Sequence, residues 1–230
     1  MATVDVLIPC FNAARYIGAA LDSALGQEPR PARIIVIDDG STDQSAEVIR
    51  RYGPPVEYHW QANAGISAAR NAAARRASAD YLAFLDADDL WTERSLSLRL
   101  AYLEAHPSVD GVFAALSQFI SPELEQSLAG RIRFDPAPAV ARFAGTFLLR
   151  RLAFEKVGGF NETLRVGEMI EWLARADAAG LTTATIPDLA LRRRIHDSNT
   201  VLNAAASQGD YLRAIKGALD RRRGAGAGQS

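Results

Sequence analysis

Between residues 4 and 85, apolar residues come in short runs and periodic stretches, each closed by polar ones. Val4-Asp5-Val6-Leu7-Ile8 reads as a buried strand stopped at Pro9. Ile17, Ala20, Leu21 and Ala24 then recur at helical spacing, with Asn12 as the expected cap and Gly26 and Pro29 ending the helix. Ile34-Ile35-Val36-Ile37 is wholly apolar, as in a central parallel strand covered on both faces. Val56, Tyr58 and Trp60 alternate like a strand, Ile66 to Ala77 is alanine-rich and helical, and Tyr81-Leu82-Ala83-Phe84-Leu85 is another buried strand.

Strand and helix therefore alternate, which predicts an α/β fold built on a doubly wound, mostly parallel sheet with helices on both faces. Beyond it the pattern loosens. Leu96, Leu100 and Leu103 predict a helix, Ser121 to Pro138 a loop-rich excursion, and Phe154 to Phe160 a short helix ending in Gly158-Gly159. Met169, Trp172, Leu173 and Ala176 make a helical stripe, Thr182 to Ile186 suit a strand, and Arg221 to Ser230 read as a frayed tail.

Composition narrows the function classes. The chain has 230 residues, 48% of them hydrophobic, with a formal net charge of −1, so no global field draws it to nucleic acid or anionic lipid. One cysteine, Cys10, cannot form an internal disulfide. No basic and then apolar leader opens the chain, and no stretch approaches the roughly 20 apolar residues of a membrane span. A cytoplasmic protein is expected, with peripheral contact at the inner face of a membrane left open.

In doubly wound sheets ligands bind beyond the carboxyl ends of the strands. The polar clusters fall there: Pro9 to Asn12, Asp38 to Asp43, and Asp86-Ala87-Asp88-Asp89. Three carboxylates in four residues repel one another, so a compensating cation is expected; oxygen donors suit Mg2+ or Mn2+, which commonly share their shell with substrate phosphates. Taken alone the segment also reads as a solvated turn and helix cap. Asp38 and Asp39 can accept from a base N–H or from ribose hydroxyls, or simply close a turn. Asn63-Ala64-Gly65 precedes a helix whose free N–H groups favour phosphate, and Arg70 lies one turn further on.

Val6 to Asn12, Val36 to Asp43, Asn63 to Asn71 and Phe84 to Asp89 stand in order at suitable spacing. Together they resemble the family 2 glycosyltransferases of GT-A fold, densest before Trp91. The resemblance implies a single GT-A domain over 1–220, with a nucleotide-binding half (1–90), an acceptor-side half (91–205) and a tail (221–230). It implies inverting transfer from a UDP or GDP sugar to a hydroxyl of a glycan, lipid-linked, small-molecule or peptide acceptor. Pro9, Asn12 and Asp39 would lie near the nucleoside and Asp86 near ribose or sugar, with Asp38, Asn63, Gly65 and Arg70 also binding the sugar nucleotide. Asp88 would hold a divalent cation, Mn2+ or Mg2+. In Arg192-Arg193-Arg194-Ile195-His196, following the last core strand, Arg194 would reach the diphosphate and His196 would complete the metal shell.

Val157-Gly158-Gly159-Phe160-Asn161-Glu162 resembles another family segment, after which the family usually carries Glu-Asp, the carboxylate acting as general base. Here Glu168 is followed by Met169, which cannot accept a proton. Three readings stay open: Glu168 or Glu171 is the base, the acceptor needs none, or the protein binds a sugar nucleotide without efficient turnover.

Overall fold

In the computed structural model, described here for residues 2–122, 124, 136–196 and 215–216, one sheet runs through the molecule. Most of the expected excursion at 121–138, the stretch 197–200 and the tail at 221–230 lie outside the described residues. The strands are β1 (Val4–Cys10), β2 (Arg33–Asp38), β3 (Val56–Trp60), β4 (Tyr81–Phe84), β5 (Leu90–Trp91), β6 (Gly111–Ile120), β7 (Ala139–Val140), β8 (Leu148–Arg150) and β9 (Thr183–Ile195). The helices are α1 (Ile17–Leu25), α2 (Ser45–Arg50), α3 (Ile66–Ala74), α4 (Ser95–Ala105), α5 (Arg151–Val157) and α6 (Glu168–Ala178).

The strand order is β3-β2-β1-β4-β8-β6-β9-β5, with β7 against β6. The first four pair in parallel, as the alternating pattern requires, and the long β6–β9 ladder is parallel too. Short antiparallel ladders, β4–β8, β6–β8, β6–β7 and β5–β9, join the remaining strands to it. The apolar runs explain why both faces are covered. Val6 and Ile8 with Ile34 and Val36 enter one core with Leu21 of α1 and Leu100 of α4. Leu7, Ile35 and Ile37 enter the other with Ala69 of α3, Phe154 of α5 and Trp172 of α6. Period-2 alternation inside a continuous apolar run sends neighbours to opposite faces.

Several boundaries differ from the sequence pattern. β1 runs through Pro9 to Cys10. Leu7 O accepts from Leu85 N and Cys10 O from Asp39 N, so odd positions turn to β4 and even ones to β2. The β1–β4 ladder has ended by Pro9, so its missing N–H leaves no gap. α3 stops at Ala74 rather than Ala77, and α5 begins at Arg151 rather than near Phe154, closing on Gly158. Asn12 does not cap α1; Tyr16 holds that position without a side-chain bond.

Arg99, on α4, is fully buried. It donates to Ser95 O and Oγ and lies 4.7 Å from the Trp91 ring, and among the described residues its Nη1 has no hydrogen-bond partner. Burial pulls its pKa down to about 9.

Candidate functional site

The site forms where β1, β2 and β4 end. Asp39 N–H donates to Cys10 O, tying the β2 turn to the end of β1. Asp38, buried, accepts from Ser41 N–H through one oxygen and from the Tyr58 hydroxyl through the other. The Asp39 carboxylate accepts from Gln61 Nε2 (2.7 Å), Ala64 N–H (2.9 Å) and Gly65 N–H (2.8 Å), so it closes the loop that leads into α3. Gly40 has φ +77°, and a Cβ there would sit 2.9 Å from Asn63 N, so the two loops touch through backbone. Asn12, itself at φ +49°, accepts from Thr42 N–H and Oγ1, while its N–H donates to Ser41 Oγ. The expected helix cap is thus a brace between the β1 and β2 turns, because the chain needs several further residues before α1 can start.

Arg70 projects from α3 and is 1% exposed. Its Nη2 lies 2.6 Å from Asp86 Oδ1 and its Nη1 2.5 Å from Glu168 Oε1. Burial works against the Arg70 charge, but the two carboxylates outweigh it and hold its pKa above the ordinary value. Burial raises the Asp86 pKa, Asp88 and Glu168 add to the rise, and Arg70 opposes it. Glu168 opens α6 after Gly167, where the helix N-terminus favours a negative charge.

Asp88 faces the other way. Its Oδ2 lies 2.8 Å from His196 Nε2, and its backbone oxygen accepts from Arg194 Nε at 2.9 Å. Tyr16 packs against His196 and Arg194, 4.7 Å from the His196 ring and 4.9 Å from the Arg194 guanidinium, which also lies 4.6 Å from the Phe119 ring. Asp89 is buried, and burial first, then Asp88 and Asp86, raises its pKa well above the usual carboxylate value. The arginine run does not follow the last strand: Arg192 to Ile195 are part of β9. Arg192 and Arg193 stack on Phe119 and Phe143, 4.7 and 4.9 Å from the ring centroids, which makes a basic run compatible with a strand.

The geometry thus brings Asp86, Arg70 and Glu168 into one cluster and Asp88, Arg194 and His196 into an adjoining one. Asp38, Asp39, Asn12 and Gly65 join the turns beside them, Pro9 lies within β1, and Asn63 backs onto Gly40. Glu171 is held differently: Arg175 Nε reaches both of its oxygens, while the same guanidinium donates to Val157 O and Gly159 O. Met169, in the first turn of α6, is buried in the core. Among the described residues, no group of three or more metal-ligating side chains forms. A two-donor set of one carboxylate and one imidazole fits a cation that completes its shell with phosphate oxygens and water.

Sequence reasoning gave no role to Tyr16, Gln61 or Asn71. Asn71 Oδ1 accepts from Phe160 N–H and Nδ2 donates to Phe160 O and Glu162, pinning the segment ahead of α6 to α3. Gly159 leaves room for this, since a Cβ there would stand 2.6 Å from Asn71 Oδ1. The adjacency of Asn71 to Arg70 was the available signal.

The model of the family described as Glycosyl transferase family 2 matches residues 5–160, which hold β1 to β4, the Asp86–Asp89 loop and the Gly158-Gly159 turn. The chain belongs to this family. An uncharacterized glycosyltransferase of Rickettsia typhi is 25% identical over 92% of this chain and 70% of its own length. A succinoglycan biosynthesis protein of Rhizobium meliloti is 34% identical over 77% of this chain and 57% of its own. Other curated relatives are matched over less of their own length, a second Rickettsia glycosyltransferase over 25% of it. The fold is that of Staphylococcus aureus TarS (residues 1–349, solved with UDP-GlcNAc), at TM-score 0.75 and 20% identity over 95% of this chain and 66% of that one. A mannosyltransferase of Pyrobaculum calidifontis, solved with GDP-Man and Mn2+, superposes at TM-score 0.68 and 21% identity, over 94% of this chain and 64% of that one. These neighbours confirm the GT-A architecture expected above. Among the described residues no helix is long and apolar enough to cross a membrane.

Proposed function

We propose that the chain transfers a sugar, with inversion, from a nucleoside-diphosphate sugar to an acceptor hydroxyl. The observation that carries this reading is the meeting of Asp88, His196 and Arg194 beside the Arg70–Asp86–Glu168 cluster at the strand ends. Pro9, Asn12 and Asp39 lie toward the nucleoside, and Asp38, Asn63 and Gly65 help to hold the sugar nucleotide. Asp86, oriented by Arg70, faces ribose or sugar, and Arg194 offers positive charge to the diphosphate. Asp88 and His196 would hold Mn2+ or Mg2+, which when bound offsets the charge growing on the departing nucleoside diphosphate.

Glu168 is the favoured general base. Its Oε1 faces Arg70, which leaves Oε2 to take the acceptor proton. Glu171, engaged with Arg175, is the weaker candidate. Met169 motivates a second reading, sugar-nucleotide binding with little turnover, because its burial ties the position to the core rather than to an acceptor.

A screen of UDP, GDP and dTDP sugars with Mn2+ tests the first reading. Metal-stimulated transfer or donor hydrolysis should appear with wild type and vanish in Asp88→Asn. Turnover unchanged in that variant would sink the assignment, and tight calorimetric binding without turnover of any donor would favour the second reading.

A further inference from the structure

Asp89 adjoins the proposed cation pair but belongs to neither cluster. It is 2% exposed. Its Oδ1 accepts from Arg194 N–H at 2.9 Å across 105 positions, and its own N–H donates to Asp86 O, closing the turn that carries the acidic loop. Next to it, Leu90 and Trp91 of β5 pair antiparallel with Arg192 and Leu191 of β9. That ladder stops at Arg192, yet the two segments stay joined for two more residues. Asp89 continues the zip with a side-chain acceptor, and Arg194 returns its Nε to Asp88 O. Side chains two apart in a strand share a face, and His196 follows directly on the last residue of β9, so docking Arg194 against this loop also brings His196 to Asp88, where the 2.8 Å contact lies.

Building on the function proposed above, we infer that Asp89 is a positioning residue: it clips the end of β9 to the acidic loop and so sets how well Asp88 and His196 together hold a divalent cation. The oxygen that does this work already accepts from a peptide N–H, which is an outer-shell role rather than a ligand's. What the position needs is an acceptor for a buried N–H. An amide oxygen supplies one and an aliphatic side chain does not.

The two roles separate on substitution. Mn2+ binding to the full chain, read by the electron paramagnetic resonance signal of free Mn2+, is compared in wild type, His196→Ala, Asp89→Asn, Asp89→Leu and the Asp89→Leu/His196→Ala double variant. Asp89→Asn should stay near wild-type affinity, whereas Asp89→Leu should bind about tenfold or more weakly, as loss of an outer-shell partner does. The double variant should bind no more weakly than His196→Ala alone, because the clip acts through that imidazole. Asp89→Ala carries the same prediction should the leucine variant not fold. The inference is overturned if Asp89→Asn loses affinity like Asp89→Leu, if neither apolar variant weakens binding, or if the double variant shows additive losses. Wild type and His196→Ala binding alike would remove the Asp88–His196 pair itself, and the role of Asp89 with it; loss in His196→Ala without loss in the Asp89 variants would remove only the latter.

Discussion

Arg70 and Glu168 lie 98 positions apart in sequence and 2.5 Å apart in space, and the same guanidinium reaches Asp86. Arg70 is buried between the two carboxylates, so removing it strands them in a poorly solvated site. Arg70→Leu should lower stability by about 3–5 kcal/mol, as when one partner of a buried pair is lost. Arg70→Lys should recover only part, since an ammonium lacks the planar fork that serves two acceptors. Urea unfolding midpoints at constant slope check both.

Glu168 and Glu171 are one helical turn apart but differ in partners, and their variants should differ in kind. Glu168→Gln should reduce kcat by roughly a hundredfold or more with little change in donor KM, as expected for loss of a general base. Glu171→Gln should act mainly on stability, because its partner Arg175 also holds Val157 O and Gly159 O. Steady-state kinetics beside thermal melting separates the two outcomes; equal loss of kcat in both would move the base role away from Glu168.

The buried guanidinium of Arg99, which faces no carboxylate among the described residues, should be a liability. Arg99→Met keeps a long side chain over Trp91 and removes a desolvated cation with an orphaned Nη1. We expect stability to rise by about 1 kcal/mol, the lower end of what replacing buried charges with apolar groups yields. A lower melting temperature in this variant would contradict it.

Asp43 gives a pH signature. Burial raises its pKa, but hydrogen bonds from Ser45 and from Ala14 N–H outweigh this and leave it below the ordinary carboxylate value. A group with a depressed folded pKa stabilises the protein above its unfolded value, about 3.9, and that contribution is lost as pH falls through the lower folded one. The melting-temperature gap between wild type and Asp43→Ala should therefore be full at neutral pH and narrow below about pH 4.

How much was legible follows from what carries each contact. β1, β2 and β4 were readable because their apolar runs are local and end in Pro9, Asp38 and Asp86. The arginine-rich end of β9 was not, because its strand state rests on Phe119, Phe143 and the β6 ladder, far away in sequence. Asp39 was singled out by its place after β2, but its service to Gln61, Ala64 and Gly65 depends on a loop fold that no spacing rule encodes. Asn12 was assigned to the nearest helix, whereas its partner Thr42 lies 30 positions on.

The irregular pairing of β6 with β9 has one last consequence. From Phe113 to Leu116 the former advances three residues, while the latter advances six, from Thr185 to Leu191. The surplus is an odd number, so this kink decides which side of the sheet every later residue of β9 looks toward. A single-residue insertion or deletion between Thr185 and Leu191 would turn His196 to the far side from Asp88 even if every other residue were kept. Length changes in that stretch should survive only in pairs, which makes its residue count, more than its residue types, the inherited quantity.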